Sequence, residues 1–369
     1  MIVIADDITG AAEIAGIAFS KGQEVRLLCN SSVNCDSVAV NGITVIATDT
    51  RSMSKAEAVA ETRHIIRPLS LEGNGGRILF KKTDSALRGH VVAELTALMA
   101  ATGYQRAVYL PANPTKGRII KNGVYYINNV PIHETAFSYD PEFPAKTSVL
   151  KERFPDAKAS GIIMPDAESM DDIRNIISQY NDRYTLFAGA ADLFAALLNN
   201  QEVYHHDSTK ISIVSKLSST LILCGSTQSK PLDLSIPIAP MPRDIYDGND
   251  DISLWDTSAY EEQHSLILTM PFTHRTGKEV AVRLRTIMAH KAKELIARHT
   301  PSHLIIEGGA TAWATLQALG WTQFKIERQI APGVVQMSIT IARHTSTCGS
   351  KKRVMVTLKP GSYPWGIML

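Results

Sequence analysis

Short apolar runs rich in β-branched residues recur at 1–4, 24–29, 43–47, 77–80, 106–110, 161–164 and 184–188. Between them lie stretches with helical spacing of apolar positions: Ala11 to Lys21, Lys55 to Arg67, Val91 to Ala101, Asp171 to Tyr180 and Ala190 to Asn199. A strand that is apolar throughout, rather than at alternate positions, is one covered on both faces, as in a parallel sheet flanked by helices. The alternation therefore predicts βαβ units around a mostly parallel sheet. Residues 119 to 144 break the pattern. Gly123, Asn128-Asn129 and Pro131 interrupt short Tyr, Val and Ile runs there, which predicts a hairpin excursion able to cover a cleft.

A further strand, Leu221 to Cys224, closes at Gly225-Ser226. The region 231–250 then gathers Pro231, Pro237, Pro240 and Pro242 with the turn-forming cluster Asp247-Gly-Asn-Asp250. Proline denies regular hydrogen bonding and Asp, Gly and Asn favour turns, so a linker is expected here, with the boundary near residue 245. Beyond it come a strand (Ser265 to Met270), a long helix (Thr276 to Arg298), a strand (Leu304 to Glu307) and a helix (Thr311 to Leu319). Lys351-Lys-Arg353 reads as a solvated turn before the strand Val354 to Leu358. The expected architecture is α/β, with two domains, 1–245 and 246–369, each a mostly parallel sheet flanked by helices.

Composition narrows the class. The 369 residues suffice for the cores of two domains, and 44% hydrophobic with 20% charged residues describes a globular protein. A formal net charge of +2 lacks the concentrated basic face that a nucleic-acid partner requires. No run of about 18 apolar residues offers a membrane span. The chain opens as a strand ending in acids at positions 6 and 7, unlike a signal peptide, so a cytoplasmic protein with no membrane partner is expected. The four cysteines, Cys29, Cys35, Cys224 and Cys348, lack metal or redox spacing, and reduced thiols are expected. His205-His206-Asp207 falls short of the three or four convergent ligands of a metal site, and no protein metal cage is expected.

The chemistry concentrates at two strand ends. Phe80-Lys-Lys-Thr-Asp-Ser-Ala-Leu-Arg-Gly-His90 gathers ammoniums, a carboxylate, hydroxyls and a guanidinium after an apolar run. Lys81, Lys82 and Arg88 suit a carboxylate or phosphate, Arg88 bidentately, while Asp84 and Ser85 suit sugar hydroxyls. A solvated loop with Asp84 or Ser85 capping the next helix is the plainer alternative. Residues 1 to 10 end a buried-type strand in Asp6-Asp7, then Thr9-Gly10 and a small-residue helix. In an open α/β sheet the carboxyl end of a strand is where ligands sit. One of the two acids is expected to cap the helix.

Three ordered blocks carry a resemblance to a known family. Ala5-Asp6-Asp7-Ile8-Thr9-Gly10-Ala11, Lys81 to His90, and Pro111-Ala-Asn-Pro-Thr-Lys-Gly-Arg118 with Glu134-Thr135 and Asp140-Pro141 resemble the corresponding motifs of the four-carbon acid sugar kinases. Later, Leu304-Ile-Ile-Glu-Gly-Gly-Ala-Thr311 is similar to the family's glycine turn except that Ala310 stands where an acid is usual. Pro332-Gly333 matches a second turn, and Lys359 to Gly366 matches a third approximately, with Pro360 in place of serine. The resemblance implies an ATP-dependent kinase acting on the terminal hydroxyl of threonate, erythronate or 3-oxo-tetronate. It implies Asp6, Asp7, Arg51, Lys81, Asp84 and Arg88 around the acid sugar, with Lys82 and Ser85 in the same block. Asp84 or Asp7 is the expected general base.

Gly225, Ser226, Gly308, Gly309, Thr311, Gly333 and Gly361 are the expected nucleotide-binding positions, since an ordinary P-loop is absent and glycine turns before a helix offer another phosphate cradle. Mg²⁺ is expected with ATP, held by phosphates and water. The acid sugar and ATP are the expected partners, and a homodimer stays open. The alternative is a non-catalytic sugar-acid sensor that has lost nucleotide turnover, motivated by Ala310 and Pro360. A dinucleotide-dependent dehydrogenase lacks its Gly-x-Gly-x-x-Gly after the first strand.

Overall fold

The structure, a computed structural model, describes residues 1–29, 42–69, 79–140, 142–199, 219–225, 234–271, 277–342 and 351–361. The chain divides into two compact units, Met1–His206 and Asp207–Leu369.

The first unit is built on seven parallel strands: β1 (Ile2–Ala5), β2 (Val25–Cys29), β3 (Ile43–Ala47), β4 (Leu79–Lys82), β5 (Arg106–Leu110), β9 (Ile162–Ile163) and β10 (Thr185–Gly189). Their order is β2-β3-β1-β4-β10-β5-β9. Helices α1 (Ile8–Ser20), α2 (Lys55–Ile66), α3 (Val91–Thr102), α4 (Leu150–Arg153), α5 (Met170–Tyr180) and α6 (Ala191–Asn199) alternate with them. The burial of every residue in β1, β3, β4 and β10 explains the unbroken apolar runs. Local signals set the helix starts: Ser54 with Glu57 and Ser169 with Asp172 form capping boxes at α2 and α5. The expected excursion is a small antiparallel sheet of β6 (Arg118–Lys121), β7 (Val124–Ile127) and β8 (Val130–Pro131), turning at Asn122-Gly123 and Asn128-Asn129, all with positive φ.

The second unit holds β11 (Thr220–Cys224), β12 (Ile238–Pro240), β13 (Leu266–Thr269), β14 (His303–Glu307), β15 (Gln323–Ala331), β16 (Val334–Ala342) and β17 (Lys351–Lys359), in the order β12-β13-β11-β14-β17-β16-β15. The first five of that order run parallel, and β15, β16 and β17 form an antiparallel meander. Helices α7 (Arg243–Asp247), α8 (Ser258–Gln263), α9 (Lys278–Arg298) and α10 (Gly309–Leu319) complete it. Its core includes Ile222, Cys224, Ile267, Ile305 and Val334.

Two expectations shift. Strand β11, within the residues 1–245 expected as the first domain, pairs with β13 and β14 inside the second compact unit. The proline-rich stretch contributes a sheet-edge strand, β12, where prolines are tolerated for want of a second ladder. Lys351-Lys-Arg353 is strand and not turn, because its pairing with β16 continues to Lys351↔Ala342. Among the described residues no helix is long and apolar enough to cross a membrane. His205-His206-Asp207, Cys35 and Cys348 lie outside the described residues.

Candidate active site

The carboxyl edge of the first sheet gathers charge. Asp6 and Asp7 leave β1, Arg51 follows β3 and Asp84 to Arg88 follow β4. Because β3, β1 and β4 are neighbours in parallel register, these ends meet. Arg51 forks onto Asp6 (Nε–Oδ2 3.1 Å, Nη2–Oδ1 2.8 Å), and the same Nη2 reaches Asp7 Oδ1 at 3.0 Å, with Asp84 Oδ1 3.8 Å from Nη1. Arg88 forks onto Asp84 (Nε–Oδ2 2.7 Å, Nη2–Oδ1 3.1 Å) and stands 3.5 Å from Asp140. Burial alone would raise these carboxyls. For Asp84 the guanidiniums of Arg51 and Arg88 outweigh burial and hold it well below the usual carboxylate range. Asp7 is likewise lowered against burial, by Arg51 and Lys82, whereas burial wins at Asp6 and raises it despite Arg51. Asp7 is also the cap of α1, accepting from Gly10 N at 2.9 Å and from the Thr9 hydroxyl.

Lys81 and Lys82 are strand residues, and successive strand side chains face opposite sides of the sheet. Lys82 turns toward α1, its Nζ 3.4 Å from Glu13 Oε2 and donating to Thr83 O at 3.0 Å. Lys81 turns the other way. It is wholly buried, 2.5 Å from Glu94 Oε2, which also accepts from the Thr50 hydroxyl at 2.8 Å. Lys81, expected among the substrate ligands, is thus one half of a closed ion pair that joins β4 to α3 and the turn before α2.

The loop after β4 is held in an unusual shape. Leu87 adopts φ 63°, a conformation costing a bulky residue roughly 1 kcal/mol or more. The Arg153 guanidinium donates to its carbonyl through Nε and Nη2 at 3.3 and 3.0 Å. From the excursion, the Tyr125 hydroxyl lies against the carbonyls of Ser85 and, at 3.1 Å, Pro111, while Arg118 Nη1 donates to the Ser85 hydroxyl. Lys116 Nζ donates to Glu13 Oε1 at 2.5 Å. The Phe137 ring centroid lies 5.8 Å from the guanidinium carbons of both Arg88 and Arg118.

In the second unit the glycine turns converge. β11, β14 and β17 are parallel neighbours, so Gly225, Gly308-Gly309 and Pro360-Gly361 leave the sheet side by side. The Pro332-Gly333 turn joins them, because Val335 pairs with Leu358 in antiparallel register. Gly308 has φ 93°, and a Cβ at Gly225 would sit 1.9 Å from Thr311 Oγ1. Glycine is needed at both places, in one for the backbone conformation and in the other for the close approach of α10. Among the described residues no side chain caps α10, leaving its first N–H groups available for an anion. Glu307 and Lys359, register partners, are fully buried and ion-paired, and Glu307 Oε2 has no hydrogen-bond partner among the described residues. Ser226 lies outside the described residues.

Comparison with known proteins finds two domains in the same order along the chain. Residues 1–157 match the sugar-binding N-terminal domain family and residues 244–363 the nucleotide-binding C-terminal domain family. A 3-oxo-tetronate kinase of Brucella melitensis biotype 1 is 25% identical over 90% of this chain and 88% of its own length. The chain belongs to the four-carbon acid sugar kinase family. A D-threonate kinase of Salmonella typhimurium LT2, 34% identical over 152 residues, aligns with 41% of this chain and only 35% of that relative. A crystal structure of a Haemophilus influenzae protein shares the fold, with a TM-score of 0.68 at 20% identity over 98% of this chain and 96% of that one.

In this four-carbon acid sugar kinase family member, Asp6, Asp7, Arg51, Lys82, Asp84, Ser85 and Arg88 come together at one sheet edge, and only Lys81 is turned away. Sequence reasoning missed Glu13, Glu94, Arg118, Tyr125 and Asp140. Arg118 and Asp140 had a signal, since both belong to the third motif block. Glu13 and Glu94 had none, because an acid in a helix reads as a solvated position until the strand lysine beneath it is seen.

Proposed function

We propose that this protein is an ATP-dependent kinase that phosphorylates the terminal hydroxyl of a four-carbon acid sugar such as threonate, erythronate or 3-oxo-tetronate. The observation that carries the reading is the convergence of Gly225, Gly308-Gly309, Gly333 and Gly361 on one sheet edge of a unit whose matched family binds nucleotides. Phosphoryl transfer depends on positioning and on neutralising the equatorial oxygens, so backbone N–H groups at the α10 start would cradle the phosphates while first-unit residues orient the acceptor. Both Asp84 oxygens are occupied by Arg88 and by Ala86 N. The Asp7 oxygens are occupied as well, by Arg51, Gly10 N and the Thr9 hydroxyl, so Asp7 and Asp84, with 15% and 11% side-chain exposure, are joint candidates to orient the attacking hydroxyl and take its proton. The lowered pKa of both carboxylates suits a step in which little proton transfer precedes bond breaking. Among the described residues no group of three His, Cys, Asp or Glu side chains stands ready to hold a metal. Mg²⁺ would arrive on the nucleotide and neutralise charge on its phosphates.

ATP consumption measured with a panel of four-carbon acids and Mg²⁺, and the phosphorylated carbon located by NMR, tests the reading. Acid-stimulated turnover with phosphate on the terminal hydroxyl is expected. Folded protein that binds the acids without turnover of any stereoisomer would make it a sensor instead.

A further inference from the structure

Among the described residues the cations at the first sheet edge are paired with carboxylates with two exceptions, Arg118 and Arg153, and the Arg153 guanidinium is spent on the carbonyl oxygens of Leu87, Phe143 and Pro144. Arg51 is taken by Asp6 and Asp7, Arg88 by Asp84 with Asp140 nearby, Lys82 and Lys116 by Glu13, and Lys81 by Glu94. Arg118 differs. Among the described residues its guanidinium meets the Ser85 hydroxyl and the Phe137 ring and no carboxylate. It sits partly buried at the start of β6, and its backbone is fixed by the Asn113 bridge, where Asn113 N donates to Arg118 O at 2.7 Å and Arg118 N to Asn113 O at 3.2 Å.

We propose that Arg118, supported by the Ser85 hydroxyl, takes the carboxylate of the substrate and thereby sets the preference for sugar acids over neutral polyols. An incoming carboxylate adds one negative charge to a site that is otherwise balanced, and a guanidinium without an acid partner offers it a planar fork at no cost in broken ion pairs. Arg88 and Arg51 would first have to release buried or half-buried carboxylates, and leaving those unpaired is unfavourable. The Phe137 ring, its centroid 5.8 Å from both guanidinium carbons, adds a cation–π contact to Arg118 and to Arg88 alike. The excursion thus supplies the selectivity and the sheet edge supplies the hydroxyl contacts. This inference rests on the acid sugar kinase reading.

The test compares D-threonate with its uncharged amide as acceptors for wild-type protein, Arg118→Gln and Arg118→Lys, each shown to be folded by its melting curve. Arg118→Gln is expected to lower the acid-over-amide ratio of kcat/KM at least tenfold, chiefly through KM for the acid, with Arg118→Lys recovering part of it. An unchanged ratio, or equal loss on acid and amide, would overturn the assignment. Wild-type protein that turns over no acid would instead sink the kinase reading, and calorimetric binding of threonate would then test the Arg118 assignment through the same acid-over-amide comparison.

Discussion

Replacing Lys81 with methionine separates a structural ion pair from a substrate ligand. The Lys81 and Glu94 side chains are 0% and 2% exposed, and removing the ammonium leaves a carboxylate in a dry site with only the Thr50 hydroxyl for company. Breaking one half of such a pair costs about 3–5 kcal/mol, whereas replacing both halves with apolar groups is near neutral. For a unit of this size, each kcal/mol moves the melting temperature by about 2–4 °C, so Lys81→Met should melt roughly 10 °C lower. Lys81→Met/Glu94→Leu should recover most of that loss, giving a coupling of several kcal/mol in a double-mutant cycle. Differential scanning calorimetry supplies the cycle, and steady-state kinetics of the double variant should show the acid KM within a few-fold of wild type. A single variant with unchanged melting and a raised acid KM would refute the reasoning and return Lys81 to the substrate.

Three other outcomes follow from the second unit and the buried thiols. His303, 9% exposed beside Thr357 and pushed down to about 4 by burial and by Arg328, stays neutral in the folded state while the unfolded side chain titrates near 6.5. Its contribution to stability is therefore full above about pH 6.5 and lost as pH falls toward 4, worth about 3 kcal/mol, and urea midpoints at pH 7.5 and 4.5 should differ less in His303→Gln than in wild type. Gly225→Ala, whose Cβ would collide with Thr311, should weaken ATP binding at least tenfold by calorimetry while threonate binding holds; unchanged ATP affinity would remove Gly225 from the cradle. Cys29 and Cys224 are buried, with thiols pushed up to about 12 by burial, so iodoacetamide at pH 8 should label neither in the native protein and both in urea, read by mass spectrometry.

The two sheets were legible because a strand buried on both faces shows itself as an unbroken apolar run, as at Ile2–Ala5 and Ile43–Ala47. The pairing inside the second unit was not. Prolines 237 and 240 looked like a linker, yet an edge strand tolerates them, and the pairing that ties Thr220–Cys224 to residues more than 40 positions later leaves no local mark. The site was readable as a set of residues and unreadable as a circuit. The motifs contained Asp6 and Asp84 and the resemblance added Arg51, but which acid holds which base depends on strand register. The two adjacent lysines show why: one position of alternation sends Lys82 to the site and Lys81 into the core. Arg118 looked like the last letter of a motif and became informative only once every other cation there had a partner.

The excursion β6–β8 meets the Thr83–Gly89 loop at the Ser85 carbonyl and hydroxyl, while Arg153 at the end of α4 holds the Leu87 carbonyl. A segment attached in this way can lengthen, shorten or change its side chains while the parallel strands keep their pairing. New acceptor preferences are therefore accessible to drift at small expense in stability, and an engineer wanting a different sugar acid would begin with residues 114–140 and leave the strand ends alone.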